Sequence, residues 1–188
     1  MGFQRILAAI DYSPLSQEVF TQALDLARSN NAKLMLFHCV SEETMTGSSP
    51  FSGELGLLPR IVNQAYQAQQ IYLEQRMQDI QSLLRGYCET AAQQGVVAES
   101  SYQIADAGQG LCQAAQSWQA DLIVLGRRGR RGLTEVLLGS VSNYVLHHAD
   151  CTVLIVQSSR SHPTSNPASS ASDVAHPSLK VDHHLTSH

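Results

Sequence analysis

The sequence predicts an α/β fold: one doubly wound, Rossmann-like sheet of five parallel strands with helices on both faces. Five short apolar runs alternate with four stretches of helical periodicity between residues 5 and 156. The first run, Arg5–Ile10, is apolar after its first residue, which is typical of a strand buried on both faces of a sheet. Strands that alternate with helices indicate parallel pairing, and the right-handed crossover rule then restricts the topology.

The five predicted strands are short apolar runs bounded by polar or turn residues. They span Arg5–Ile10, Lys33–Val40, Val96–Ile104, Asp121–Gly126 and Cys151–Val156. The element order is therefore β-α-β-α-β-α-β-α-β.

The first two predicted helices have recognisable ends. Ser13 and Pro14 suit the N-cap and first helical position of the first helix, and Asn30-Asn31 suits its end. The second helix begins near Ile61 and stops at Gly95. The other two helices follow "ADAGQG" and "LLGS", where apolar residues again recur three or four apart.

Length and composition divide the chain into one domain and a tail. Residues 1–157 form the predicted domain, and residues 158–188 are rich in Ser, Pro and His and too poor in apolar residues to fold. The segment Ser41–Pro59 is a long loop rich in Gly and Ser. The four cysteines have no metal-finger spacing and are expected to be reduced core residues.

Charge and hydropathy exclude some functions. The net charge is −4 and the pI about 6.0, which argues against general nucleic-acid affinity. No run of about 18 apolar residues exists to span a membrane. The first residues, "MGFQRILAAIDYS", lack the pattern of a secretory signal. We therefore expect a cytoplasmic protein with no membrane or nucleic-acid partner.

The predicted ligand site lies at the carboxyl ends of the strands. In an open doubly wound sheet, ligands bind where the strand order reverses. If the order is 3-2-1-4-5, this reversal lies between the first and fourth strands. Asp11 follows the first strand and Gly126 ends the fourth, so they would lie on opposite sides of the crevice.

The stretch "GRRGRRGLTEVLLGS", Gly126–Ser140, contains the components of an anion site. It is neither a Walker A loop nor a GxGxxG motif. Gly126 and Gly129 allow positive φ or a close approach of ligand to backbone, and successive amides can form an anion nest. Gly139-Ser140 precedes the last helix, whose N-terminus favours anions, with Ser140 as its expected N-cap. Two such elements joined by a short spacer suit a polyphosphate.

The spacing Gly126-x2-Gly129-x9-Gly139-Ser140 resembles the nucleotide-binding pattern of the universal stress protein family, in its ATP-binding branch. The resemblance extends from about Phe3 to Gln157 and includes "RILAAIDYS", "LMLFHCV" and the last strand. It implies the order 3-2-1-4-5 and the adenine nucleotide α-hydrolase-like fold. It also implies ATP, or ADP or AMP, as the ligand, with Mg²⁺ as a candidate counter-ion.

Carried over by position, the resemblance divides the site residues into two groups. The nucleoside group comprises Ala9, Ile10, Asp11, Cys39 (through its backbone) and Val40. The phosphate group comprises Leu125, Gly126, Arg127, Gly129, Gly139, Ser140, Val141 and Ser142. Two alternatives remain open: Asp11 could serve only an Asx turn, and the arginines of the loop could be a solvated basic surface.

Several functions are compatible with these residues. The leading hypothesis is a regulatory ATP-binding protein of the stress response, a homodimer through strand Cys151–Val156. A weak ATPase or self-phosphorylating enzyme is an alternative, although Asp11 is the one obvious acid at the crevice and no catalytic residue is assigned. An AMP or cyclic-nucleotide sensor and a structural dimer with an empty site are further alternatives. The sequence names neither a protein partner nor a metal ligand.

Overall fold

The computed structural model describes residues 2–41, 59–127 and 138–157, with the backbone alone for residues 59–63 and 65. Its five strands form one parallel sheet in the order β3-β2-β1-β4-β5, which confirms the predicted fold class. The elements in chain order are β1 Arg5–Ala9, α1 Leu15–Asn30, β2 Lys33–Val40, α2 Pro59–Gln93, β3 Ala98–Ile104, α3 Ala107–Trp118, β4 Leu122–Gly126, α4 Ser140–His148 and β5 Thr152–Val156.

Three predictions fall on parts of the chain outside the described residues. These are residues 42–58 of the predicted loop, Gly129 with the rest of 128–137, and the predicted tail from residue 158. Within the described ranges, no helix has both the length and the hydropathy needed to cross a membrane.

Helices cover both faces of the sheet because successive strand side chains point to opposite faces. Ile6 and Ala8 of β1 pack into a cluster with α1 and α2. Leu7, between them, packs into a second cluster with α3 and α4. All three side chains are fully buried, as a central strand between two helical layers requires.

The ends of α1 show one correct and one wrong prediction. Ser13 is not the N-cap: Pro14 occupies that position, and no side chain caps the helix. The Ser13 hydroxyl instead donates to Asp11, so it cannot turn toward the helix amides. At the other end Asn31 adopts the left-handed conformation with φ of 52°, which confirms the predicted stop.

Close packing of α3 depends on Gly108. A Cβ at this position would lie 2.8 Å from the Tyr144 ring of α4 and 2.9 Å from the Tyr144 Cβ. Gly86, on the exposed side of α2, has no atom within 4 Å of a built Cβ. The two glycines are thus a matched pair of helical sites that differ in the space available.

We expect Gly108→Ala to lower the free energy of unfolding by about 1–3 kcal/mol, because α3 and α4 must separate to admit the methyl group. Gly86→Ala should raise the free energy of unfolding by roughly 0.5–1 kcal/mol through helix propensity. Urea unfolding followed by circular dichroism measures both changes. Equal effects of the two substitutions would contradict the close contact at Gly108.

Candidate functional site

A cavity of about 640 Å³ opens at the carboxyl ends of β1, β2 and β4. Its volume lies within the range of small-molecule sites. The described members of the predicted site line it together: Ala9, Ile10, Asp11, Cys39, Val40, Leu125, Gly126, Arg127, Gly139, Ser140, Val141 and Ser142. The fold thus brings the two predicted groups to one cavity, and their part in binding stays a prediction.

The Asp11 carboxylate organises the turn between β1 and α1. Its Oδ1 accepts hydrogen bonds from the Ser13 backbone N–H at 2.8 Å, from the Ser16 hydroxyl at 2.6 Å and from the Ser13 hydroxyl. The Asp11 N–H in turn donates to Ser16 Oγ at 2.8 Å. The Asx turn is therefore present, and a ligand contact by the same carboxylate stays a prediction.

The N-terminus of α4 presents backbone amides to the cavity. Gly139, not Ser140, is the N-cap, so the prediction for Ser140 is wrong by one residue. The first bond of the helix runs from the Asn143 N–H to the Gly139 carbonyl at 2.9 Å. The amides of residues 140–142 precede this ladder and have no acceptor within the helix, as is general for a helix N-terminus.

A buried serine joins α4 to the end of β4. The Ser142 hydroxyl lies 2.9 Å from the Arg127 carbonyl oxygen and 3.0 Å from that of Gly139. The Gly139 N–H also donates to the Arg127 carbonyl, at 2.9 Å. Ser142 is 1% exposed, so these hydrogen bonds between the start of α4 and the end of β4 are shielded from water.

The glycines at the cavity are not required for their φ angles. Gly139 has φ of −64°, which any residue adopts. Gly126 ends β4, and Gly95 is the glycine with positive φ in the described part of the chain. Of the two alternatives given for Gly126, positive φ is therefore excluded, and room for a close approach of ligand stays a prediction.

Cys39 presents its backbone, rather than its thiol, to the cavity. The Lys33 N–H donates to the Gln4 backbone carbonyl on the β1 side. The Leu34 N–H donates to the Val97 backbone carbonyl on the β3 side. Because these directions alternate, the N–H and C=O of Cys39 face β1. The last bond between β1 and β2 runs from the Ile10 N–H to the Phe37 carbonyl, so the Cys39 groups lie beyond it and face the crevice.

The Cys39 thiol is a neutral packing group. Its Sγ lies 3.6 Å from the carbonyl oxygens of both Ala105 and Asp106. Burial, and secondarily the negative charge of Asp106, raise the pKa of this thiol. A raised pKa disfavours the reactive thiolate, which supports the core interpretation of Cys39 over a redox one.

Among the cavity residues that sequence reasoning missed, two carry ionisable side chains, His38 and Arg76. His38 is 3% exposed, and its Nδ1 lies 2.7 Å from the Ile10 carbonyl oxygen. The Tyr12 ring contacts His38 edge-on, with centroids 5.5 Å apart, and the Arg76 guanidinium lies 5.5 Å from the Tyr12 centroid. One polar residue within the apolar run "KLMLFHCV" could have indicated His38.

A family model decides the relationship of this chain to known proteins. The model of the universal stress protein family matches residues 2–157. The chain belongs to the universal stress protein family. The universal stress protein Sll1388 of Synechocystis is 37% identical over 84% of this chain and 99% of its own length. Universal stress protein A homolog 1 of Coxiella burnetii is 35% identical over 83% and 97%.

Solved universal stress proteins share the fold at lower sequence identity. One, determined in complex with cAMP, has a TM-score of 0.55 at 22% identity and covers 84% of this chain and 98% of its own. The Arabidopsis thaliana protein with AMP bound has a TM-score of 0.50 at 20% identity, covering 82% and 91%. The Archaeoglobus fulgidus protein in complex with dAMP has a TM-score of 0.50 at 17% identity, covering 82% and 98%.

The Asp11 turn gives a testable effect on stability. We expect Asp11→Ala to lower the free energy of unfolding by about 1–3 kcal/mol, because the buried Ser16 hydroxyl and the Ser13 amide lose their acceptor. Asp11→Asn, which keeps one carbonyl oxygen, should cost less. Asp25→Ala, at an exposed position of α1, is the control and should change stability by less than about 0.5 kcal/mol. Urea unfolding at pH 7 would refute the turn role if Asp11→Ala matched this control.

Proposed function

We propose that this chain is a regulatory protein that binds an adenine nucleotide in the cavity between β1 and β4, and that ATP is its ligand during stress. One observation carries the proposal. A single cavity is lined at one part of its wall by Cys39, whose backbone groups lie beyond the Ile10–Phe37 bond, and at another by the first residues of α4. The first suits a base, and the second suits phosphate.

The phosphate end combines several neutral donors. The amides of residues 140–142 point along the helix start, and the α4 dipole favours negative charge at the same place. Ser140 adds an exposed hydroxyl. Gly126 and Gly139 carry no side chain that would hold a phosphate away from the backbone.

The base end combines polar backbone with apolar walls. The N–H and C=O of Cys39 supply one donor and one acceptor side by side, which matches the N1 acceptor and amino donor on one edge of adenine. Ile10, Val40 and Leu111, each no more than 3% exposed, supply apolar surface around it. Proteins of the same fold have been solved with cAMP, AMP and dAMP. All three nucleotides contain adenine, which supports this base for the present chain.

The choice of ATP rests on the glycine pattern and on the size of the cavity. The resemblance in Gly126-x2-Gly129-x9-Gly139-Ser140 favours a chain of phosphates, and about 640 Å³ provides room for one. We expect Mg²⁺ to enter with ATP through the phosphate oxygens. Ligand binding would act on a partner surface rather than lead to efficient hydrolysis.

Calorimetric titration of purified protein with ATP, ADP, AMP and cAMP, each with and without Mg²⁺, tests the proposal. We expect ATP to bind most tightly, and Gly139→Val to lower its affinity more than about ten-fold, because a branched side chain blocks the amides. Gly86→Ala is the control with unchanged affinity. Absence of binding to all four nucleotides would overturn the proposal, while equal affinity for ATP and AMP would favour the monophosphate sensor.

We also propose that β5 pairs with the β5 of a second copy. The Thr152 N–H donates to the Asp121 backbone carbonyl, and the Val156 carbonyl accepts from the Arg127 backbone N–H. The backbone groups of Thr152 and Val156 therefore face β4. The backbone groups of Val153 and Ile155 therefore face away from the sheet. An apolar edge strand of this kind invites pairing, and a two-fold dimer would satisfy it.

The direction of these groups permits a sharp test of the dimer. Ile155→Pro removes an outward-facing N–H and should give a folded monomer in light scattering. Leu154→Pro removes a donor that faces β4 and should instead lower the melting temperature, because it breaks the internal ladder. A folded Ile155→Pro protein that remains dimeric would contradict pairing through β5.

A further inference from the structure

We propose that Arg76 of α2 binds the phosphate charge of the nucleotide and thereby sets the preference for ligands with more phosphates. The inference rests on the proposed function and adds a residue that the glycine pattern does not include. Arg76 belongs to a helix on the α1 face of the sheet, whereas the amides of α4 belong to the other face. The phosphate chain would thus be held by donors from both faces of the sheet.

Arg76 occupies an inward position of α2. Ile80 and Leu84, four and eight residues later, are 0% and 2% exposed and pack in the core. Residues four apart lie on one face of a helix, so Arg76 continues this apolar stripe at the end where the cavity opens. A charged side chain on such a stripe is directed into the protein rather than into solvent.

The guanidinium of Arg76 has a buried donor without an acceptor. Among the described residues, its Nε is buried and has no hydrogen-bond partner. Its Cζ lies over the Tyr12 ring, 5.5 Å from the centroid, a cation–π contact that does not supply the hydrogen-bond acceptor that Nε lacks. Because arginine stays charged and buried donors are normally paired, an anionic ligand in the cavity would supply the acceptor that this Nε lacks.

The other charged groups of the cavity have side-chain partners within the protein. The Arg127 Nη1 lies 3.3 Å from Oε1 of Gln157, which follows β5, in an exposed contact. Asp11 accepts the serine hydrogen bonds of its turn. Arg76 differs from Arg127 in that its Nε is buried and has no hydrogen-bond partner among the described residues. The α4 amides offer only partial charges, whereas ATP brings several full negative charges, and a planar guanidinium matches phosphate oxygens in pairs.

The test compares adenosine, AMP and ATP in calorimetric titrations of the full chain. We expect Arg76→Met to weaken ATP binding about ten-fold or more and to change adenosine binding by less than about two-fold, because only charged hydrogen bonds are lost. Arg76→Lys keeps the charge without Nε and should lose part of the ATP affinity. Arg85→Met, on the exposed face of α2, is the matched control and should bind like the wild type.

Melting of the ligand-free protein separates binding from structural support. We expect Arg76→Met to melt at or above the wild-type temperature, because the unpaired buried donor is removed. A lower melting temperature with an unchanged ratio of ATP to adenosine affinity would overturn the proposal in favour of support for Tyr12. Equal losses for adenosine and ATP would also overturn it.

The proposed function can fail separately. If the wild type binds neither adenosine nor ATP, that function is wrong, and titration with tripolyphosphate tests Arg76 alone. Binding that Arg76→Met loses and Arg85→Met keeps would support the anion role of Arg76. No binding of tripolyphosphate to the wild type would overturn it.

Discussion

The site depends on one constraint of the sheet: the connections that leave β1 and β4 run to opposite faces. β2 and β4 pair with opposite edges of β1, and the helices that follow β1 and β4 leave toward different faces. No connection can close the gap above β1, so a crevice forms at this carboxyl edge. The registers then determine its walls: β1 ends at Ala9, while β2 continues to Val40 and exposes backbone groups that have no further partner in β1.

The two walls are positioned by serines at the starts of helices. Ser16 ties the beginning of α1 to Asp11 after β1. Ser142 ties the beginning of α4 to Arg127 after β4. Both serines are 3% exposed or less, so their hydrogen bonds are shielded from water. Each helix N-terminus is thereby fixed to the strand on its own side of the crevice, and the hydroxyl of Ser142, a candidate ligand from the sequence, is used for this purpose.

Sequence reasoning succeeded where burial leaves little choice of side chain, and it failed where a contact forms only in the folded chain. Continuous apolar runs identified β1, β2 and β4, because strands buried on both faces leave little choice of side chain. Ser13 was misjudged as a cap because a preceding carboxylate competes for its hydroxyl, and that competition depends on the turn. Arg76 could not be found from spacing alone: its periodic position shows that it faces inward, but only the placement of α2 over β2 and β3 shows that it reaches a cavity.

The absence of side chains at Gly108 and Gly110 has a mechanical consequence. A Cβ at Gly108 would meet Tyr144 of α4, and one at Gly110 would lie 2.8 Å from the Cys39 sulfur of β2. The bare backbone of α3 therefore rests against a helix that begins at the cavity and a strand that ends there. Close-packed contacts of this kind transmit displacement instead of absorbing it. A ligand that displaced α4 or the end of β2 would displace α3 as a rigid body. The outward-facing residues of α3 would then move in response to binding in the cavity.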